Sequence, residues 1–360
     1  MRLLISGYYG MGNVGDEAVL AGLLGELFRQ APDWEVTVLS GNPVATRRQH
    51  GVAAVPRFAP LEVIRAVRQA DIVVSGGGGL LQDATSLRSL LYYAAVLWLA
   101  RLARKRTAIL AQSIGPLRTR LGRTLTRMAA QRADLVTVRD ESSAGLLAKI
   151  GVGRLVEVTA DPAFLVEPEP SVSAQSADLG LCLRSWRGGE RTVQAVIEGV
   201  GRWADQEGAS VAVWPFHSPA DDKVAEQALG RLGPKGRLVP PYRQPGAAAA
   251  IIGEFELVVA ARLHALILAS VACVPWLGIG YDAKVMALAK ATGLAALPPE
   301  AVTPEAVQAA IGSLRREREQ ARAALAGGLP RWQSMARRNV ELLVRTGAVE
   351  RAVLDGRLGS

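Results

Sequence analysis

Short β-rich runs alternate with helical stretches along both halves of this 360-residue chain. In the first half the β-rich runs are residues 3–6, 35–39, 72–75, 107–111, 135–138 and 156–159. In the second half they are residues 179–183, 210–214, 238–240, 257–260 and 274–278. Such alternation is typical of parallel sheets, because each parallel strand needs a crossover connection that is usually a helix. The predicted fold class is therefore α/β, with a doubly wound parallel sheet in each half.

A segment rich in proline and serine separates the two alternations. Residues 168–177 show no apolar period and have the composition of an interdomain linker. A chain of this length also suits two hydrophobic cores better than one. We therefore predict a Rossmann-like domain over 1–167, a linker over 168–177 and a second Rossmann-like domain over 178–328. We expect a C-terminal helix and tail over 329–360 that can cross back to the first domain, and a cleft across which the two domains face each other.

Basic residues are concentrated between positions 101 and 132. The chain has a net charge of +9, and this segment contains nine lysines and arginines and no acidic residue. It favours an anionic membrane surface or another polyanion as a partner, the alternative being a solvated basic face. Nucleic acid is not expected, because no aromatic platforms are interleaved with the basic residues. The N-terminus lacks the features of a signal peptide, so we expect a cytoplasmic protein that can make peripheral contact with the plasma membrane.

A glycine-rich segment, SGYYGMGNVGDE, occupies residues 6–17 directly after the first strand. Its glycines allow close backbone approach, and the following helix start offers N–H groups to an anion or a hydroxyl-rich ligand. It does not match the strict dinucleotide fingerprint, so a nicotinamide cofactor is not expected. Asn13, Asp16 and Glu17 could bind or deprotonate a sugar hydroxyl. Alternatively, Asp16 and Glu17 are ordinary first-turn residues that the helix dipole favours.

A second glycine-rich segment, SGGGGLLQD, follows another apolar strand at residues 75–83. Four successive glycines are costly to order, so something must approach their backbone closely. Two interpretations stay open. In the first case, that neighbour is a tightly packed helix. In the second case, it is a ligand or the facing domain, and Gly78, Gln82 and Asp83 would contribute to the cleft.

Cationic, imidazole and phenol groups follow several of the predicted strands. They are Arg139 in the first half, and Arg184, His217, Arg262, His264, Tyr281 and Lys284 in the second. A lone histidine in an apolar setting is more often a core residue, but this chain has only three histidines. Convergence of these side chains predicts a site for a phosphorylated substrate with proton transfer. The pair Asp221 and Asp222 is interpreted as a helix start, and no metal site is expected.

Taken in order, these motifs resemble those of the polysaccharide pyruvyl transferases. The resemblance covers nearly the whole chain and is carried by residues 7–17, 76–83, 113–116, 139–140, 161–162, 262–264 and 280–284. The chain is most similar to the CsaB type, which acts on a cell-wall polysaccharide precursor linked to S-layer anchoring. The resemblance implies a two-domain GT-B-like fold.

The resemblance also implies a reaction. A pyruvyl group would pass from phosphoenolpyruvate to two hydroxyls of one sugar, such as N-acetylmannosamine, in a lipid-linked precursor, giving a cyclic ketal and phosphate. Phosphoenolpyruvate is then a co-substrate, and no cofactor is required. Family residues at positions like Arg139, Arg262, His264 and Lys284 are associated with the donor. Our hypothesis is that the three cations hold the phosphate and carboxylate while His264 donates a proton or binds phosphate.

The acceptor side of this hypothesis uses the glycine-rich segments. Asp16 or Glu17 would activate the sugar hydroxyl, and Asn13, Asp16, Gly78, Gln82 and Asp83 would bind the acceptor. Arg184, His217 and Tyr281 are predicted as further residues of the same cleft. Two alternatives stay open at this point, a GT-B-type glycosyltransferase that uses a nucleotide sugar and a noncatalytic glycan-binding relative. The oligomeric state also stays open.

Overall fold

A computed structural model describes residues 1–84, 86–170, 176–240 and 244–354, the last six of these by their backbone alone. The chain folds into two compact units. The first unit contains Met1–Met11, Val19–Leu165 and the chain from Trp332 onward. The second contains Gly12–Ala18 and Val166–Arg331.

The described part of the first unit is built on a seven-stranded parallel sheet. Its strands are β1 (Arg2–Tyr9), β2 (Glu35–Ser40), β3 (Ala53–Pro56), β4 (Ile72–Gly76), β5 (Arg106–Gln112), β6 (Leu135–Val138) and β7 (Glu157–Val158). Its helices are α1 (Val14–Gln30), α2 (Pro43–His50), α3 (Pro60–Gln69), α4 (Leu87–Leu102), α5 (Arg120–Arg132) and α6 (Glu141–Lys149). The strand order is β3-β2-β1-β4-β5-β6-β7, which is a doubly wound order.

The described part of the second unit repeats this plan with a six-stranded parallel sheet of order β10-β9-β8-β11-β12-β13. Its strands are β8 (Ala177–Cys182), β9 (Val211–Val213), β10 (Gly236–Leu238), β11 (Phe255–Ala260), β12 (Trp276–Ile279) and β13 (Ala296–Leu297). The helices that follow β8 are α7 (Glu190–Glu207), α8 (Asp222–Leu232), α9 (Pro245–Gly253), α10 (Leu263–Val271), α11 (Ala283–Thr292), α12 (Pro304–Arg316) and α13 (Arg318–Leu354). The predicted α/β class with two doubly wound sheets is confirmed.

The central strands are apolar because helices cover both faces of a doubly wound sheet. All five residues of β4 are buried, and β11 is buried at every position except Glu256. The order of the strands reverses between β1 and β4 and again between β8 and β11. Ligands of open α/β sheets bind at the carboxyl ends of the strands beside such a reversal.

Several element boundaries follow from local sequence signals. Asp140 caps α6 by accepting a 2.8 Å hydrogen bond from the Ser143 backbone N–H, which is a common role for aspartate just before a helix. The short strands β3 and β13 were not predicted, because both are rich in alanine, which is depleted in strands. Helix α4 contains the apolar run LLYYAAVLWLA, but within the described residues no helix is long and apolar enough to cross a bilayer.

One domain boundary and one helix boundary differ from the prediction. Gly12–Ala18 falls within the predicted first domain, 1–167, but belongs to the second unit. The break between the last two helices falls at Glu317, and α13 continues through Pro330, where a break was expected. The predicted linker, 168–177, includes residues 171–175, which lie outside the described residues, as do residues 355–360 of the predicted tail.

The last helix anchors the end of the chain in the first unit. Asn339 on α13 is fully buried, and its Oδ1 accepts hydrogen bonds from the hydroxyls of Thr137 and Thr159. Its Nδ2 donates to the Ala160 carbonyl over 3.0 Å. A fully satisfied polar network of this kind specifies one seating of the helix.

Candidate functional site

The first glycine-rich segment contacts the start of α10. Gly15 lies in the first turn of α1, and a Cβ built on it would be 2.2 Å from Nδ1 of His264. No side chain fits at that separation, so glycine at this position makes room for the imidazole. The motif after β1 and the motif after β11 therefore form one site within the second unit.

Asn13 and His217 lie beside this contact. The two residues form an isolated antiparallel bridge. The Asn13 side chain accepts a 3.1 Å hydrogen bond from the Gly15 backbone N–H and donates to the Asp16 carboxylate. Asp16 is 9% exposed and Glu17 is 4% exposed, so the carboxylates that the sequence marked as candidate bases are largely shielded from water. The first turn of α1 is thus a polar, desolvated element next to His264.

Arg262 is held in place by a buried carboxylate. Its Nε donates to Oδ2 of Asp221 over 2.9 Å, and its Nη2 donates to Oδ1 of the same residue. The Asp221 side chain is only 1% exposed and also accepts a 2.9 Å hydrogen bond from the His217 backbone N–H. Because Nε and Nη2 face Asp221, Nη1 is the nitrogen on the opposite side of the guanidinium. Asp221 therefore fixes both the orientation of Arg262 and the backbone at His217.

Asp221 also precedes α8, which begins at Asp222, so its interpretation as part of a helix start is confirmed. Its pairing with Arg262 was not predicted, because no local sequence signal joins residues so far apart.

Arg184 and Tyr281 form a second cluster in this unit. Nη1 of Arg184 donates a 2.7 Å hydrogen bond to the Tyr281 hydroxyl, and the guanidinium lies 5.1 Å from the centre of the Tyr281 ring. Trp186 stacks on the Tyr281 ring, with the two ring centres 4.8 Å apart. Burial raises the pKa of Tyr281, so its phenol stays protonated at neutral pH. Lys284 lies nearby in sequence, with Nζ 3.9 Å from Asp282.

Arg139 lies in the first unit, whereas Arg262, His264 and Lys284 belong to the second. Its guanidinium forms an ion pair with Asp161, and both side chains are almost fully buried. Its Nε also donates to the Ser113 hydroxyl over 2.6 Å. The structure therefore brings Arg139 together with Asp161, and it does not gather all four predicted donor residues within one unit.

Asp140, next to Arg139, is a partly buried carboxylate that accepts several hydrogen bonds from protein groups. Burial acts to raise its pKa, but hydrogen bonds from three serine hydroxyls and the Ser143 N–H outweigh burial and hold the pKa below its usual value. This carboxylate thus stays charged and keeps the helix start beside Arg139 in place.

The run of glycines after β4 is explained in part by packing. Gly77 has φ +63°, and a Cβ on it would be 2.0 Å from Cγ1 of Val19 on α1. Only glycine accepts both the left-handed backbone and this close approach. Tight packing of loop and helix is therefore the correct interpretation at Gly77.

The predicted acceptor residues at this loop are engaged locally. The Gly78 carbonyl accepts from the Ser113 N–H over 2.9 Å, and Gln82 Oε1 accepts from the Ala84 N–H over 2.8 Å. The Asp83 carboxylate accepts hydrogen bonds from two backbone N–H groups and from the Thr119 hydroxyl. Burial acts to raise the pKa of Asp83, but these bonds outweigh it and lower the pKa. Asp83 thus helps to form the start of α5.

Four residues of these clusters were not assigned to the site from the sequence. Gly15 makes room for His264, Asp161 and Asp221 pair with arginines, and Trp186 stacks on Tyr281. Asp161 did carry a signal, as an acidic residue before proline at a strand end. Among the described residues, no three His, Cys, Asp or Glu side chains are grouped closely enough to hold a metal ion.

The fold is shared with solved structures of low sequence identity. A candidate UDP-N-acetylglucosamine 2-epimerase from Listeria monocytogenes matches with a TM-score of 0.71 and 14% identity, over 97% of each chain. UDP-GlcNAc 2-epimerase from Methanocaldococcus jannaschii matches with a TM-score of 0.65 and 12% identity, over 96% of this chain and all of the other. Anabaena HepE in complex with UDP and glucose has a TM-score of 0.62 and 15% identity, over 99% and 100%. These likenesses support a GT-B-like, two-domain Rossmann fold.

Sequence comparison is more specific than the fold. No curated protein sequence matches the chain. The family model described as polysaccharide pyruvyl transferase matches residues 13–283. The match includes both the Asn13–Glu17 segment and the strand-end residues Arg262 and His264, and it spans more than half of the chain. The chain therefore belongs to the polysaccharide pyruvyl transferase family.

Proposed function

We propose that this protein transfers a pyruvyl group from phosphoenolpyruvate to two hydroxyls of one sugar in a lipid-linked cell-wall polysaccharide precursor. The observation that carries the proposal is the contact between Gly15 and His264, with Arg262 fixed by Asp221 beside it. This arrangement brings the first turn of α1, which carries two shielded carboxylates, against the start of α10, which carries an imidazole and an oriented guanidinium. Family membership supplies the class of reaction. An amino sugar such as N-acetylmannosamine, in a CsaB-type reaction linked to S-layer anchoring, remains our proposal for the acceptor.

The chemistry requires an acid, a base and an anion site. A proton added to the methylene carbon of phosphoenolpyruvate gives an oxocarbenium-like centre, and one sugar hydroxyl forms a C–O bond to that centre. The bond to phosphate then breaks, and the second hydroxyl closes the ketal. One of the two hydroxyl protons returns to the acid that protonated the methylene carbon. The other is carried away by the released phosphate. Positioned proton donors and fixed cations lower the barriers of such steps.

The donor residues divide by what they contact. In the second unit, we assign phosphate binding to Arg262, and proton donation or phosphate binding to His264. Lys284 and Arg139 are proposed to assist with the donor's negative charge. The carboxylate of Asp161 already offsets the charge of Arg139, so this residue is proposed to act through its orientation more than through net charge.

The acceptor residues follow from the same geometry. Asp16 or Glu17 is proposed to accept the proton of the attacking hydroxyl, because both carboxylates lie in the helix turn that contacts His264. Asn13 would orient Asp16 through their hydrogen bond. Gly78, Gln82 and Asp83 stay proposed acceptor contacts, with Asp83 the weakest of them because three hydrogen bonds already occupy its carboxylate.

Phosphate release from phosphoenolpyruvate, with and without a lipid-linked amino-sugar disaccharide, tests the proposal. We expect release that depends on the acceptor. His264→Ala should lower the rate by about 10²- to 10⁴-fold if His264 is the proton donor. His50→Ala, at the end of α2, is the matched control and should keep the wild-type rate. Near-normal turnover by His264→Ala would exclude the acid role.

The alternative functions give different products. A glycosyltransferase that uses a nucleotide sugar would release a nucleoside diphosphate and show no response to phosphoenolpyruvate. A noncatalytic relative would bind the glycan and release no phosphate. The same reaction mixtures, supplied in turn with phosphoenolpyruvate and a UDP-sugar, separate these outcomes.

Peripheral contact with an anionic membrane is proposed for α5. This helix exposes Arg120, Arg123 and Arg127, and its Leu121 and Met128 are 49% and 37% exposed. Basic and apolar side chains on one exposed helix favour the interface of an anionic bilayer, as would suit a cytoplasmic enzyme that acts on a lipid-linked substrate. Vesicles that contain anionic lipid should bind the protein at low salt and release it at high salt. No binding at low salt would refute the proposal.

A further inference from the structure

Arg184 differs from the other strand-end arginines in its charge environment. Arg139 and Arg262 each form an ion pair with a buried aspartate. Over the residues that the structure describes, no carboxylate lies within ion-pair distance of Arg184. Its guanidinium donates instead to the Tyr281 hydroxyl over 2.7 Å. The positive charge of a half-buried arginine is poorly compensated by a neutral partner. Partial burial removes some of its hydration and strengthens its interaction with any negative charge that binds.

Tyr281 does not supply that negative charge. Burial raises the pKa of its hydroxyl, and the Asp282 carboxylate also acts to raise it, even though the guanidiniums of Arg184 and Arg262 act to lower it. The phenol therefore stays neutral while it orients Arg184. Trp186 stacks on the Tyr281 ring and fixes the ring's plane. Arg184 is thus held in a defined direction by a neutral side-chain partner and not by an ion pair.

The sheet register places Arg184 next to Arg262. Cys182 at the end of β8 pairs with Ala260 at the end of β11, so Arg184 and Arg262 each follow the paired position by two residues. Neighbouring strands are about 5 Å apart, so the two arginines leave the sheet side by side. They do so where the strand order reverses, which is the usual ligand position in such a sheet. The effect of both charges on the Tyr281 hydroxyl agrees with this placement.

We propose that Arg184 binds a second anionic group of the donor, the carboxylate of phosphoenolpyruvate, while Arg262 holds its phosphate. The inference rests on the proposed function, because it assumes a donor with two anionic groups. A planar guanidinium binds a planar carboxylate through two parallel hydrogen bonds. An arginine that is not already in an ion pair with a protein carboxylate is available to bind a ligand carboxylate in this way. Tyr281 is then a positioning residue, and Arg184 selects donors that carry a carboxylate over simple phosphate esters.

Two probes separate the two anionic groups. Phosphoenolpyruvate carries phosphate and carboxylate, whereas ethyl phosphate carries phosphate alone. Calorimetric titration should show that Arg184→Ala weakens binding of phosphoenolpyruvate by about 10- to 100-fold and leaves ethyl phosphate unchanged. Arg184→Lys keeps the charge but loses the paired hydrogen bonds, so it should recover only part of the affinity. Arg191→Ala, an exposed arginine in the first turn of α7, is the matched control and should bind both probes normally.

Kinetics test the positioning role. Tyr281→Phe keeps the ring and its stacking on Trp186 but removes the hydroxyl that orients Arg184. We expect a higher KM for phosphoenolpyruvate with kcat nearly unchanged. A fall in kcat without a change in KM would overturn the positioning role of Tyr281.

The outcomes distinguish this inference from the proposed function. If the wild-type protein binds ethyl phosphate but gains nothing from the carboxylate of phosphoenolpyruvate, the donor assignment itself fails. If the wild type prefers phosphoenolpyruvate and a folded Arg184→Ala variant keeps that preference, only the role of Arg184 fails. Equal weakening of both probes by Arg184→Lys would mean that Arg184 supports the phosphate site or the fold, and would also overturn the inference.

Discussion

Replacing Gly15 by alanine should disable the site with little effect on the rest of the fold. The new methyl group would lie 2.2 Å from Nδ1 and 2.7 Å from Cβ of His264, and real Cβ contacts essentially never fall below 3.0 Å. The imidazole must therefore shift by about 0.8 Å or more, and the overlap with Cβ means that a change of rotamer alone does not relieve it. Misplacement of a reacting group by about 1 Å can lower a rate by about 100-fold.

The energetic balance at this position has two opposing parts. Overpacking in a well-packed region costs roughly 1 to 3 kcal/mol. Alanine in place of glycine within a helix returns about 0.5 to 1 kcal/mol. We therefore expect a net loss of at most about 2.5 kcal/mol in the free energy of unfolding, which leaves the protein folded. The loss of activity should be much larger than this loss of stability suggests.

Gly25 provides the matched control on the same helix. A Cβ on Gly25 meets nothing within 4 Å, so Gly25→Ala should stabilise α1 by about 0.5 to 1 kcal/mol and keep full activity. Phosphate release from phosphoenolpyruvate in the presence of acceptor, together with urea unfolding, measures both effects. Gly15→Ala turnover within a few-fold of Gly25→Ala would refute the argument that the backbone at Gly15 positions His264.

Three further changes test the supports of the site and fold. Asp221→Asn removes the buried charge that compensates Arg262 and should lower the free energy of unfolding by about 3 to 5 kcal/mol in urea; a loss below about 1 kcal/mol would contradict the importance of the pair. Asn339→Ala leaves buried hydroxyls without their acceptor and should cost about 1 to 3 kcal/mol in the same assay, with an unchanged midpoint counting against the network. Asp140 has a lowered pKa, so its charge stabilises the fold at neutral pH, and that contribution disappears as pH falls through the lowered value, below the ordinary 3.8. Wild type should therefore exceed Asp140→Asn in stability at pH 7 and lose this advantage in acid; a gap independent of pH would show that the charge is not the cause.

Much of the fold could be predicted from periodicity and local signals. The strands β4 and β11 are apolar runs of the length that a strand covered on both faces requires, and Asp140 marks the start of α6 as any capping residue does. The short edge strands β3 and β13 escaped prediction because both are rich in alanine. A separate C-terminal helix was predicted from residue 329, but α13 begins at Arg318, accommodates the loss of one backbone hydrogen bond at Pro330 and continues.

The sequence predicted individual residues of the candidate site, but not the contacts between them. Local sequence placed Arg262, His264 and Arg184 at strand ends, because parallel strands in a doubly wound sheet end at one edge. It could not show that Asp221 neutralises Arg262 while the side-chain partner of Arg184 is a neutral phenol. Ion pairs between distant residues depend on which elements lie side by side, and that is a property of the packed fold.

The sequence by itself determined the two doubly wound sheets, the glycine-rich turns and the family, since each depends on residue types at short and regular spacings. Only the tertiary structure decided that Gly12–Ala18 belongs with the second unit and that Gly15 makes room for His264. In the sequence, a glycine such as Gly15 indicates that space is needed near its backbone, but not what occupies that space. Which side chain fills that space is decided by long-range packing, where steric exclusion and charge compensation act between residues that the sequence keeps far apart.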